Sequence, residues 1–237
     1  LNDDPQAAEI AWQIVEKSLD NPGPRLLEHA PIVAGVALAY DLCYNAWGKE
    51  RVEKITNWLG QQTKILIAGT RGKGWNPYAW SNWSGRARGA AGLAALAILS
   101  EPEEYFSEPT DVKRLLKISE RYIKRYLNTA VGDRSFGTEG DLYTIQPWIL
   151  VLLPFFQAYE NVVGQDLVTD SSVEWFLSHY VMRIVGKKGE ISFPSYGRHR
   201  RGDVKRLFSL GWKSVPEKFL PGAVSYTHLT LPTTLVV

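Results

Sequence analysis

Apolar and polar positions follow a helical period along most of this chain, in two alternating styles. Asp3 and Asp4 ahead of Pro5 form a capped start, and a helix is predicted over 5–19 with Ile10, Ile14 and Val15 toward the core. Asn21-Pro22-Gly23-Pro24 ends it. A second helix, 31–46, is mostly apolar, and Gly48 breaks it. A third, 49–67, mixes charge with Val52, Ile55, Trp58 and Leu59 at helical spacing. A fourth, 84–99, is small and apolar apart from Arg86 and Arg88. A fifth, 110–128, sets Val112, Leu116 and Ile123 against Lys113, Lys117 and Lys124. A sixth, 142–161, is apolar, with Pro147 and Pro154 expected to bend it. A seventh, 171–185, is amphipathic; 190–193 reads as a short extended piece and 202–210 as a last helix.

The order of styles carries the fold prediction. An apolar helix is buried all round, whereas an amphipathic one faces water on one side. Apolar helices 31–46, 84–99 and 142–161 alternate with amphipathic helices 49–67, 110–128 and 171–185. Such alternation predicts an inner and an outer layer joined as helical hairpins, an all-α fold of the α/α toroid kind. The loops 69–83 and 130–141 would then meet over one mouth.

Those loops hold the candidate chemistry. Residues 72–83 place Trp75, Tyr78, Trp80 and Trp83 among Gly, Asn, Pro and Ser. Residues 133–148, DRSFGTEGDLYTIQPW, repeat the design: a Gly-broken loop, an acid, a tyrosine, then an apolar helix. Flat aromatic faces beside amides and guanidiniums suit a sugar or another planar polar ligand. Each residue also has a plain structural reading. The tryptophans are either a platform or a plug over the core. Asn82 is either a ligand or a cap of the following helix, and Tyr143 either functional or a core tyrosine at a helix start. Glu139 is expected to hold loop amides, with any contact to ligand secondary. Arg198 and His199 belong to a basic loop that either meets an acidic substrate or is merely solvated. His29 is expected to be structural, and His179, on an outer helix, to have no role.

Composition trims the alternatives. Among 237 residues, 45% are hydrophobic, enough for a sizeable core, and the nine Trp and eleven Tyr suit a large ligand surface. A net charge of +2 indicates no strong nucleic-acid field. Cys43 is the sole cysteine, so no internal disulfide forms, and it reads as a small buried hydrophobe. The longest apolar run, 148–156, is too short to cross a bilayer. No signal-peptide pattern is read, and the start at Leu1 leaves a leader open. No Cys/His/Asp spacing points to a metal, no Gly-rich loop to a phosphate, and no G-x-S-x-G to a hydrolase elbow; no cofactor is expected. Residues 223–237 lack helical period, and SYTHLTLPTT resembles translated adapter sequence, so the native domain is expected to occupy 1–222.

Three segments together resemble one family. AYDLCYNAWGKERVEKI, SNWSGRARGAAGLAALAIL and GTEGDLYTIQPW, in that order over 31–164, are similar to segments of heparinase II/III-like polysaccharide lyases. The resemblance implies an incomplete α/α toroid lacking the family's C-terminal β-sandwich domains. It also implies a secreted or periplasmic enzyme that cleaves an acidic, uronate-containing polysaccharide by β-elimination. Transferred by motif, Asn82 bonds the uronate carboxylate and Tyr143 is base, acid or both. A phenol titrates near about 10 in water, so a basic role needs cations or donors nearby; Arg86, Arg88, Arg198 and His199 are the candidates. Where family members place a histidine beside the Asn, this chain has Trp83, and His199 is the candidate replacement. A non-catalytic glycan-binding toroid and a glycoside hydrolase on a similar toroid are the alternatives.

Overall fold

The computed structural model describes residues 4–23, 26–69, 78–131, 137–168, 178–180, 183, 185–187, 190–192, 206–207, 209–211 and 217. The first helix, α1 (Pro5–Asp20), starts as its sequence dictates: Asp4 Oδ1 accepts from the backbone N–H of Gln6 and Ala7, each at 3.0 Å. Its buried face is Ala8, Trp12, Val15 and Leu19. Ile10 and Ile14, expected in the core, are 54% and 64% exposed. Both faces fit a helical period; Trp12 decides between them, packing edge-on to Trp47 under the side chains of Arg51 and Lys54.

The second helix, α2 (Leu26–Cys43), begins five residues before its expected start, so Pro31 lies inside it. Inside the helix, proline removes its own N–H from the ladder and its ring crowds the carbonyl four residues back, here that of Leu27. A short 3₁₀ turn, Tyr44–Ala46, leads to α3 (Lys49–Ala68). Next come α4 (Asn82–Ala97) and α5 (Val112–Ala130), the latter capped by Asp111, whose Oδ1 accepts from Arg114 N–H at 2.9 Å. The sixth predicted helix is three pieces: α6 (Asp141–Pro147), a π turn (Trp148–Leu152) and α7 (Leu153–Val163). Pro147 explains the break, having no N–H for the carbonyl of Tyr143, so the ladder resumes with wider spacing.

Of the helix expected over 171–185, residues 178–180 are helical. Val185 instead lies in β1 (Val185–Lys187), paired antiparallel with β2 (Glu190–Ser192), Lys187 opposite Glu190. Gly186 and Gly189 weaken a helix there, and Val185 and Ile191 favour pairing. Of the last predicted helix, residues 206–207 and 209–210 are helical; the tail 223–237 lies outside the described residues.

Contacts give the direction of each helix. Arg51 pairs with Glu9, Lys54 with Glu16, and Trp58 Nε1 donates to Leu19 O, so α1 and α3 run side by side in one direction. Tyr40 bonds Thr56 while His29 bonds Gln62, so α2 runs against α3. Gly85 near the start of α4 packs on Tyr126 near the end of α5, and Gly92 packs on Phe155 of α7. Thus α2, α4 and α6–α7 run one way and α1, α3 and α5 the other, as successive hairpins. The architecture is all-α apart from the small β-hairpin. Helix α4 is its centre, touching α2, α3, α5, α6, the π turn and α7.

The small residues of α4 permit that centrality. From Asn82 to Leu96 every residue except Trp83 is buried. A Cβ on Gly92 would stand 2.5 Å from Cε2 of Phe155, itself fully buried. Gly92→Ala is therefore expected to destabilise. Overpacking costs about 1–3 kcal/mol, against about 0.5–1 kcal/mol regained from replacing a mid-helix glycine. Urea denaturation reads the balance, and a midpoint above wild type would contradict this account of the contact.

Candidate functional site

Because α4 runs alongside α6 and α7 in one direction, the two loop-to-helix junctions lie together. Ser81 caps α4, its Oγ accepting from Trp83 N–H at 3.3 Å, and Asn82 is the first helical residue. Thr138 N–H donates to Ala130 O at 3.0 Å, and Val131 bridges Gly137, which closes the second loop. Gly140 then turns the chain with φ of 80°, a left-handed value that favours glycine, and α6 begins.

Glu139 ties the two junctions together. Its carboxylate accepts from the backbone N–H of Asn82 and from Asn82 Nδ2, the latter at 3.1 Å to Oε1 and 3.3 Å to Oε2. The first helical N–H of α4 thus finds an anion from another segment. Burial pushes the Glu139 carboxyl up; its bonds from Asn82 and the nearby Arg86 charge oppose this. One turn further along, Arg86 Nη2 donates to Gln146 Oε1 of α6. Tyr126 of α5 lies close by, its phenol held well above the ordinary range by burial and by the Glu139 charge.

Tyr143 is in the first turn of α6, 47% exposed, and its hydroxyl has no hydrogen-bond partner among the described residues. It shares a helix face with Gln146, three positions on, and so stands on the side that carries the partner of Arg86. Asn82 is only 4% exposed. The aromatic residues divide. Tyr78 is exposed and stacks on half-buried Trp80 with ring centres 5.6 Å apart, immediately before the α4 cap, and Trp83 is half-buried. Trp75, Arg198 and His199 lie outside the described residues.

Arg88 does not belong to this group. It is fully buried, Nη1 donates to the carbonyls of Leu66 (3.1 Å) and Ile67 (2.8 Å), and its guanidinium sits 4.0 Å from the Tyr122 ring centre. It closes the last turn of α3, where cations are favoured, and is corrected from a candidate for activating Tyr143 to a structural residue. His29 has the expected structural place, buried with Nε2 2.8 Å from Gln62 Oε1.

His179 is a residue the sequence reading set aside. Asp141, the first residue of α6, holds Arg183 through two bonds of 2.8 Å, and Arg183 Nη1 also lies 3.1 Å from His179 Nε2. Burial, then the Arg183 charge, keeps the imidazole pKa below its ordinary value, partly offset by Asp141. A neutral ring accepting from Arg183 fits this geometry. The only cue in the sequence was Gly140-Asp141 directly ahead of an apolar helix.

Among the described residues no His/Cys/Asp/Glu group is placed to hold a metal ion, and no helix is long and apolar enough to cross a membrane. No family model, curated protein or solved structure matches this chain.

Proposed function

We propose that this chain is the helical domain of a polysaccharide lyase that cleaves an acidic, uronate-containing polysaccharide by β-elimination. One observation carries the reading: the Asn82–Glu139 bonds bring a buried amide at the start of α4 beside α6, whose first turn exposes the hydroxyl of Tyr143, partnerless among the described residues. In the reaction Tyr143 takes the proton from C5 of the uronate. The electron pair forms the C4=C5 double bond as the C4–O4 bond breaks, and O4 leaves with a proton returned by the same phenol. The Asn82 amide donates to the uronate carboxylate, favouring the charge that develops next to C5. Glu139 orients that amide, the supporting role expected of it. The Tyr78–Trp80 stack gives neighbouring sugars an apolar face. In this reading residues 1–222 form part of an α/α toroid that works without a cofactor, in a secreted or periplasmic setting.

The exposed aromatic stack equally favours the second reading, a non-catalytic glycan-binding toroid. A glycoside hydrolase fits less well. Glu139 is engaged by Asn82 and Asp141 by Arg183, while Asp41 lies near the far end of α2 from the site. The test is incubation of this chain with alginate, heparan sulfate, chondroitin and hyaluronan while following the ultraviolet absorbance of an unsaturated uronate. Rising absorbance on one substrate supports elimination. Binding without any rise leaves the glycan-binding reading and removes the lyase.

A further inference from the structure

Helix α2 is apolar on every side, yet one side stays open among the described residues. Its core side carries Ala30, Val33, Ala37 and Tyr40. On the other side Pro31, Gly35, Leu38 and Leu42 recur at spacings of four, three and four, the pattern of a seam between two helices. Gly35 and Leu42 are exposed, Leu42 by 47%, and Pro31 and Leu38 are half-buried. No Asp, Glu, Lys or Arg occurs between Glu28 and Asp41. Gly35 gives this side its shape. A glycine inside a helix costs stability relative to alanine. The glycines inside α3 and α4 each have a neighbour that requires them. A Cβ on Gly60 would meet Phe106 at 2.9 Å, one on Gly85 would meet Tyr126 at 2.8 Å, and one on Gly89 would meet Val151 at 2.7 Å. At Gly35 no atom lies within 4 Å of that position. The notch is therefore unused by the described fold, and it sits two turns from an exposed leucine on the same seam.

We propose that α2 pairs with α2 of a second copy of this chain, antiparallel about a two-fold axis. An axis crossing the seam between Leu38 and Ala39 sets Leu42 of each copy into the Gly35 notch of the other, two identical contacts as the symmetry requires. A parallel pairing sets notch on notch and leucine on leucine and fills neither gap. The seam is uncharged, so two copies meet along it without opposing like charges. Helix α2 has 18 residues. Packed along its length of about 27 Å, it buries with its copy on the order of 1,000 Å², the low end for a specific contact. The dimer is accordingly weak, with a dissociation constant of about 10 µM.

The test is sedimentation velocity of this chain from about 1 to about 200 µM, a range that spans this constant. Wild type is compared with Gly35→Leu, which fills the notch, and Leu42→Glu, which puts a charge on the seam. Val162→Ser is the control, replacing an apolar residue of α7 that is 54% exposed. The expected result is a monomer–dimer equilibrium in wild type, at least about tenfold weaker in Gly35→Leu and Leu42→Glu and unchanged in Val162→Ser. At concentrations where both are monomers, Gly35→Leu is expected to melt no lower than wild type, since the new side chain enters open space and replaces a helical glycine. Loss of the dimer in that variant is then not loss of the fold. Wild type that stays monomeric throughout, a dimer that either seam variant leaves intact, or one that Val162→Ser weakens equally would overturn the proposal. Should one seam variant fail to fold, the other decides.

Discussion

Tyr143→Phe is expected to lower kcat on the cleaved polysaccharide by about 10³-fold, within the range for removing a positioned acid–base group and equal to about 4 kcal/mol of barrier. The substitution deletes one oxygen from a half-exposed side chain whose hydroxyl has no partner among the described residues. Its effect on folding should therefore stay within about 0.5 kcal/mol, as for surface changes away from special features. KM should change little, because the ring remains and the anion contacts of α4 are untouched. This separates the two readings sharply. In a glycan binder the phenol is one contact among several, and Tyr143→Phe leaves binding nearly intact with no turnover to lose. Initial rates by ultraviolet absorbance, with circular dichroism as a control for folding, decide the matter. A variant that keeps more than about a tenth of wild-type kcat would show that Tyr143 neither takes nor returns the proton.

The all-α character, and the burial of α4 along nearly its whole length, were legible because burial leaves a compositional trace. A helix of Gly and Ala such as α4 has no amphipathic stripe, and the charged helices beside it do. Direct contacts across junctions leave none. That Glu139 reaches Asn82 across 57 positions of sequence rests on the parallel run of α4 and α6, which periodicity alone does not specify. Arg86 and Arg88 looked equivalent, two cations in an apolar helix. Two residues apart, they point to opposite sides of α4, one to Gln146 of α6 and the other to the last turn of α3. Ile10 and Ile14 misled for a different reason. A helix with apolar residues on two faces has no unique core side until a large partner such as Trp47 selects one. The apolar pattern opens at Pro31, whereas α2 begins at Leu26, and inside the helix Pro31 both forgoes the bond to the Leu27 carbonyl and crowds it.

Asp141→Ala is expected to be among the most damaging single changes to stability, by about 3–5 kcal/mol, the cost of stripping one partner from a buried ion pair. The Asp141 side chain is 4% exposed and that of Arg183 18%, and two parallel bonds of 2.8 Å join them. Removing the carboxylate leaves a largely enclosed guanidinium against His179, whose protonation it already disfavours. It also removes an acid from the first turn of α6, where the helix favours negative charge. The exposed pair Lys49–Glu53, with side chains 73% and 40% accessible, gives the scale: Lys49→Ala should cost no more than about 0.5 kcal/mol. Acid should act in the same direction as the Asp141 substitution. With the folded pKa of His179 depressed, its contribution is fully present above about 6.5, the ordinary imidazole value, and is lost as pH falls toward the folded value. Urea midpoints of Asp141→Ala, Arg183→Met and the double variant separate a coupled pair from two independent contacts. If the pair is coupled, the double variant recovers much of the loss, because Met removes the stranded charge and keeps most of the volume. Fully additive losses would show that the two side chains stabilise the fold separately. Since Asp141 opens the helix that carries Tyr143 and Gln146, a loosened pair is also expected to lower turnover at temperatures where the rest of the chain stays folded.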